Sequence, residues 1–371
     1  MEQYCQDKVK IAIVGAGPSG IYCALQLLFG FQKNNFTNFY LTIFDKSQAL
    51  RTILPTGGGR CNITNGICDI EEFILNYPRG QKFLRSLFSR HFSYDSLDFF
   101  KKIGIETYLQ EDNRYFPISN SSKDVKDKML NALKQFKNVK LVNKNILNAG
   151  DLNDFDRVVI AAGSRSTSDL IKSFNQPMIE FKRALCALKV ENFKYPKGVS
   201  VKSLDGDFIF TDNGISGPLA FKISSLRVDD DFPYVVNIRL FDFNVLSELV
   251  KNNPKKSIGN LVSRLIPKSL AYVIVKDYDK KSAEISKKDL ESYSNLTLKI
   301  VSHGLNGEIV NKGGVELNSL DKNCKSKITP NLWFCGEILN IDGFCGGFNL
   351  QNCWSSAYVV ACDIINSIIK N

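Results

Sequence analysis

Gly15, Gly17 and Gly20 are spaced G-x-G-x-x-G. They follow the apolar run Lys10–Val14 and precede apolar residues at helical spacing, Ala24, Leu25, Leu27 and Leu28. That order predicts strand, tight turn, helix. Gly15 permits the turn, Gly17 lets the backbone approach a pyrophosphate, and Gly20 lets the helix pack closely on the strand. Pro18 and Ser19 fall at the helix N-terminus, where unpaired N–H groups and a partial positive charge favour an anion. A bare G-x-G-x-x-G also fits a glycine turn in an unrelated α/β protein. The second half of the pattern is Tyr40–Phe44, a strand-like run ending in Asp45 and then Lys46. Asp45 stands near the spacing at which an acidic side chain accepts hydrogen bonds from an adenosine ribose.

Two further glycine clusters follow the same logic. The stretch from Ile53 to Asn65, with Gly57-Gly58-Gly59-Arg60-Cys61-Asn62 at its centre, holds neither a regular helix nor a regular strand across three glycines, and its N–H groups can surround an anion or lie against a flat ring. Near the C-terminus, the stretch 329–337 holds a short apolar strand that ends in Gly336 and Glu337. After it come Asp342, Gly347, Phe348 and Asn349 and a helix expected from about Asn352 to Ile368. Between them the run 155–161 ends in Ala162 and Gly163, small residues suited to the carboxyl end of a strand beside a nucleotide. A nicotinamide enzyme needs one such fingerprint, whereas a flavin dinucleotide is gripped at both ends. On that reading Glu337 or Asp342 meets the ribityl chain or neighbouring hydroxyls. The helix after Gly347 then favours negative charge on the reduced ring.

The elements that must position these groups alternate along the chain. Helices are expected over Gln81–Arg90 and Tyr94–Lys102, and a helix capped by Ser122 runs to about Phe136. Strands are expected over Glu106–Leu109, Arg114–Ile118 and Val139–Val142. From Leu185 to Val201, Phe208 to Thr211 and Phe232 to Phe241 the pattern turns to strands. Helical patterns return from Asn244 to about Leu298, and Gly307 to Leu317 is strand-like again. The expected organisation is an α/β, Rossmann-type FAD-binding domain split in sequence, 1–182 and 319–371. A β-rich domain, 183–243 with 302–318, is inserted into it and itself carries a helical insertion, 244–301.

The motifs GAGPSG, TGGGRCNITN, RYFP, FTDNGISGP, GGV and GEILNIDGFCGGFNLQNCWSSA together resemble the bacterial FAD-dependent oxidoreductases called aminoacetone-oxidase-like or bile-acid-inducible enoyl reductase-like. The resemblance spans nearly the whole chain. It implies FAD contacts at Gly15, Gly17, Ser19, Gly20, Asp45, Gly58, Gly59, Arg60, Cys61, Asn62, Gly163, Gly336, Glu337, Asp342, Gly347 and Asn349. Leu50 departs from the family pattern, which has glycine before the basic residue, here Arg51. A glycine-rich segment with a histidine is replaced by the shorter stretch after Ser164-Arg165-Ser166.

Composition bounds the function. Hydrophobic residues make up 44% and charged residues 23% of 371, as in folded globular chains. No run is long enough to cross a membrane, and the N-terminus lacks the features of a secretory signal, so a cytoplasmic protein is expected. Ten cysteines without a CxxC pair read as reduced thiols, with Cys5, Cys186, Cys324 and Cys362 as small buried hydrophobes. With two histidines, no metal site is expected. The net charge of +10 leaves room for an anionic partner, yet pairs such as Lys255-Lys256, Lys280-Lys281 and Lys287-Lys288 lie apart in sequence, and solvated surface is the commoner meaning.

The expected activity is hydride transfer between the flavin and a small organic substrate, with electrons exchanged with NAD(P)H as a transient co-substrate or with oxygen. No second fingerprint for the nicotinamide is visible. The catalytic residues stay unassigned; Arg114, Tyr115, Asn213, His303 and Cys345 are candidate lining groups. A flavin-dependent RNA-modifying protein and a non-catalytic flavin sensor are the competing readings.

Overall fold

The structure is a computed structural model and describes residues 8–165, 167–304 and 310–370. Cys5, Ser166 and the start of the expected strand at Gly307 lie outside the described residues. The chain divides into two compact units, Met1–Lys182 with Asn311–Asn371, and Arg183–Val310.

In the first unit, β1 (Val9–Val14), α1 (Pro18–Lys33) and β2 (Phe39–Asp45) form in the expected order. There follow β3 (Thr64–Asn65), α2 (Ile70–Ile74), α3 (Gln81–Phe88), α4 (Ser93–Lys102), β4 (Thr107–Leu109), β5 (Arg114–Pro117), α5 (Ser122–Lys134), β6 (Val139–Asn143), β7 (Arg157–Ile160), α6 (Ser168–Ser173) and β8 (Met178–Ala184). Ser121, not Ser122, caps α5, its Oγ accepting from the Asp124 amide at 3.3 Å. The Ser122 hydroxyl instead donates to the Leu54 carbonyl.

In the second unit, β9 (Leu188–Val190), β10 (Ser200–Val201), β11 (Phe208–Phe210), β12 (Gly214–Ser216), α7 (Pro218–Leu226) and β13 (Tyr234–Arg239) precede four short helices. These are α8 (Phe243–Asn252), α9 (Ile258–Val262), α10 (Lys268–Ile274) and α11 (Lys287–Tyr293), followed by β14 (Asn295–His303). Helix had been expected as far as Leu298. There Leu296, Leu298 and Ile300 are buried while Asn295, Thr297 and Lys299 are exposed, a period of two that makes a half-buried strand. The six strands form one sheet, β10-β11-β12-β9-β14-β13. The helices share its core: Leu246, Leu261 and Leu270 pack in the same cluster as Val236, Leu298 and Ile300. The sequence reading ends the β-rich domain at 318, whereas this unit ends at Val310.

The chain returns through β15 (Val310–Val315), β16 (Leu332–Phe334) and α12 (Phe348–Ile369), a helix that begins four residues before the expected Asn352. The main sheet of the first unit is parallel, in the order β16-β7-β1-β2-β6. The chain builds outward from β1 to β6 and then returns to β1's other side. The carboxyl ends of β1 and β7 therefore flank the topological switch point, where ligands of open α/β sheets bind. Helices α1 and α12 cover the sheet, burying Ile21, Leu25, Leu28, Trp354, Val360 and Ile364 in one core. A small antiparallel sheet, β3-β5-β4, carries the second glycine cluster.

Candidate functional site

The turn after β1 is held from three sides. The Gly15 amide donates to the Phe44 carbonyl (2.7 Å), the Leu50 amide to the Ala16 carbonyl (2.8 Å), and the Ala16 amide to Asp45 Oδ2 (2.7 Å). Asp45 Oδ1 accepts from the amide and hydroxyl of Ser47. The carboxylate is thus fixed against the glycine turn, half-buried, while Lys46 is exposed.

The three glycines have different causes. Gly15 has φ +105°, and a Cβ there would lie 2.3 Å from the Ala161 carbonyl oxygen; one at Gly20 would lie 1.8 Å from the Gly15 oxygen. Both are demanded by the packing of β1, β7 and α1. Gly17 is not: its φ of −77° suits any residue, and a Cβ would meet only Thr52 Oγ1 at 3.7 Å. The missing side chain keeps open the space before α1, whose first turn has Pro18 and no side-chain cap. Ser19 is buried, its side chain so near Gly336 that any Cβ there would clash with its Oγ.

The second cluster forms a distorted 3₁₀ turn, Thr56–Gly59, with Gly57, Gly58 and Gly59 all at positive φ. A Cβ on Gly57 would strike the Asn62 amide, whereas one on Gly58, Gly59 or Gly163 would meet nothing within 4 Å. Arg60 stacks over Phe116 at 4.0 Å and donates to Gln110. Cys61 is buried, which pushes its thiol up to about 12 and leaves it inert. The Asn62 side chain is buried and bridges to the return loop: its Oδ1 accepts the Gly347 amide (2.9 Å), while its Nδ2 donates to the Thr64 carbonyl (3.0 Å). Asn65 Nδ2 donates to the Gly346 carbonyl, Thr64 Oγ1 to Gln351 Oε1 and Trp354 Nε1 to the Ile63 carbonyl. Two glycine clusters some 280 residues apart are thereby one structure.

In the return loop, Glu337 Oε1 accepts from Ser164 Oγ (2.9 Å) and the Asn311 amide (3.2 Å), beside Ala162 and Gly163 at the end of β7. The Asn349 amide closes the loop on itself through both the amide and the carbonyl of Gly343. The Phe348 carbonyl accepts from the Tyr77 hydroxyl. Asp342 is wholly buried, its carboxylate held by two hydrogen bonds from Arg79. Arg79 escaped the sequence reading because nothing local marks a partner 263 residues away. Helix α12 starts at Gly347 without a side-chain cap. Asn340 Oδ1 and Asn352 Oδ1 are buried acceptors with no partner among the described residues.

Of the candidate lining groups, Arg114, Tyr115 and Cys345 belong to the first unit and Asn213 and His303 to the second. Arg114 is paired with Asp112, and the Tyr115 carbonyl accepts the Ile63 amide. Cys345 stands exposed on the return loop with Arg114 nearby. In the second unit, Asn213 is an exposed turn residue whose carbonyl accepts from Val190. There His303 sits edge-on to Phe232 with its Nε2 buried and unpartnered. Burial, and then the charge of Arg183, hold that imidazole below its ordinary range. Among the described residues no group of histidine, cysteine and carboxylate side chains is arranged to hold a metal. Among the described residues no helix is long and apolar enough to cross a membrane.

A parallel sheet with its glycine turn at the switch point, a ribose-type acid at the end of β2 and a return loop on the same side define a dinucleotide-binding Rossmann protein. A model of the HI0933-like protein Rossmann domain matches residues 9–363, and the chain belongs to that family, which is related to flavoprotein oxidoreductases. The ribosomal RNA dihydrouridine synthase of Escherichia coli (strain K12) is 24% identical over 404 aligned positions, which cover 97% of this chain and 98% of that protein. The 3-dehydro-bile acid delta(4,6)-reductase of Clostridium scindens is 23% identical, covering 94% and 97%. Among solved structures, 3-ketosteroid delta1-dehydrogenase from Sterolibacterium denitrificans shares the fold with a TM-score of 0.55 and 10% identity, covering 98% of this chain and 100% of that one.

Proposed function

We propose that the chain is an FAD-dependent reductase that saturates an activated carbon–carbon double bond at the expense of NAD(P)H. The observation that carries the cofactor is Gly17, a glycine that neither backbone nor packing requires, in front of an uncapped helix. Gly15, Gly17, Pro18, Ser19 and Gly20 take the pyrophosphate, and Asp45, with Lys46 beside it, the adenosine ribose. Gly58, Gly59, Arg60, Cys61 and Asn62, with Ala162 and Gly163, line the middle. Gly336, Glu337, Gly347, Phe348 and Asn349 form the far wall. Asp342 holds that wall in place through Arg79. FAD, when bound, supplies an N5 atom that accepts and gives a hydride. The chain's own part is to orient the ring and to aim the N-terminus of α12 at negative charge.

Two relatives support the choice of reaction. Dihydrouridine differs from uridine by saturation of a ring double bond next to a carbonyl, and the bile-acid enzyme is named for reducing an unsaturated steroid. The overall conversion moves a hydride from NAD(P)H and a proton from a side chain or solvent onto the two carbons. The competing chemistry is an oxidase that passes electrons from an amine to oxygen.

Reconstitution followed by anaerobic stopped-flow tests the reading. A yellow protein bleached rapidly by NADH or NADPH and reoxidised by an enone is expected. A protein that cannot be loaded with FAD sinks the cofactor assignment, and a flavin reoxidised by oxygen but by no unsaturated compound sinks the reductase.

A further inference from the structure

One stretch of the second unit is strongly basic, although that unit as a whole carries a net +4 and the first unit +6. Between 251 and 288 ten lysines and arginines stand against three acidic residues, a net charge of +7. The fold then concentrates it. The segment before α9 runs antiparallel to the segment before α11: the Ile258 amide donates to the Lys280 carbonyl and the Ser282 amide to the Lys256 carbonyl, both at 2.9 Å, and Ser257 faces Lys281. Two lysine pairs some 25 residues apart in sequence, Lys255-Lys256 and Lys280-Lys281, thus flank one short ladder, with all four residues exposed. None of the four, nor Lys268, Lys276 or Lys288, is in an ion pair with a described residue. A cluster of like charges left unneutralised destabilises a fold slightly, and its evident use is to meet an anion.

Beside the ladder is a flat aromatic surface. Tyr278 lies on the backbone of Gly259, where a Cβ would come within 2.2 Å of its ring, and its hydroxyl is 2.9 Å from Ser263 Oγ. Tyr272 stacks on Tyr278 with ring centres 3.9 Å apart and planes at 11°, and is 56% exposed. Lys268 reaches over the Tyr272 ring at 5.7 Å. A rigid exposed ring amid unpaired lysines suits a chain of phosphates carrying flat bases; a lipid surface or an acidic peptide offers no planar group to stack.

We infer that the Lys255-Lys256/Lys280-Lys281 ladder and the Tyr272–Tyr278 stack form a binding surface for single-stranded RNA. It narrows the proposed function to a reductase whose double bond belongs to a base in RNA, and rests on that function only for the chemistry that follows binding.

The test is filter binding of the FAD-loaded full-length protein to a 20-nucleotide oligouridine across a salt series, beside polyglutamate and anionic phosphatidylserine vesicles. The variant Lys255→Glu/Lys256→Glu/Lys280→Glu/Lys281→Glu is expected to weaken oligouridine binding by about a hundredfold and to flatten the log–log salt slope by about three. Tyr272→Ala should cost about tenfold, leaving the salt slope unchanged. Four Lys→Arg changes should keep binding, and an unchanged far-ultraviolet circular dichroism spectrum and thermal melt show that each variant is folded. Equal affinity for oligouridine and polyglutamate, binding to vesicles alone, or an unaffected glutamate variant overturns the inference. Flavin absorbance separates the two readings: a colourless protein that binds RNA through this face loses only the flavin, and a yellow one indifferent to RNA loses only the surface.

Discussion

Glycine at three positions of one turn answers to three different constraints, and substitution tells them apart. Gly15→Ala would bring a methyl group within 2.3 Å of the Ala161 oxygen at a φ of +105°, so it should unfold or grossly destabilise the first unit. Gly17→Ala meets no such obstacle and should cost under about 1 kcal/mol, the price of a poorer helix cap, yet it should abolish FAD retention. Urea unfolding read beside bound flavin absorbance separates the two outcomes; a Gly17→Ala protein that stays yellow contradicts the assignment of that space to the pyrophosphate. Leu50 shows the opposite case. Where the resembled family has glycine, Leu50 keeps a left-handed backbone, φ +55°, and is fully buried, so the side chain offsets the strain by packing.

Elements joined over long distances are where local pattern stops informing. The strand–turn–helix of β1, Gly15–Gly20 and α1 was legible because each signal lies within a few residues of the next, and Asp45 because β2 sets its position. The partner of Asp342 was not legible: the sequence offers Glu337 or Asp342 to the ribityl chain, and nothing in it announces that the fold pairs Asp342 with Arg79. A buried ion pair stripped of one member leaves an uncompensated charge, so Arg79→Met and Asp342→Asn should each cost about 3–5 kcal/mol. The double variant should cost far less than their sum. A double-mutant cycle that proves additive would mean that the two side chains do not depend on each other. The lysine pairs illustrate the same limit. Their spacing in sequence reads as ordinary surface, and only the backbone pairing of 256–258 with 280–282 makes them one feature.

For the whole molecule, the two units can be read separately because both tryptophans, Trp333 and Trp354, are fully buried in the first. Tryptophan fluorescence, excited selectively, therefore follows the first unit alone. At free FAD a hundred times its dissociation constant the fluorescence-detected stability should rise by about 2.7 kcal/mol. No shift would mean that FAD does not bind the native first unit. The split of this unit also sets an order of events during synthesis. Strand β7 is complete at Ile160, yet its neighbour β16 pairs Leu332 with Val158, and α12, which covers the same sheet, comes later still. A ribosome adding ~5–20 residues per second needs roughly ten to thirty-five seconds to bridge that interval. Meanwhile the Arg183–Val310 unit emerges whole while the nascent first unit still exposes the flank of β7. On the proposed function the site is complete only once the return segment 336–349 has emerged, so the first strands and glycine turns wait, half-assembled, for a stretch made long after them.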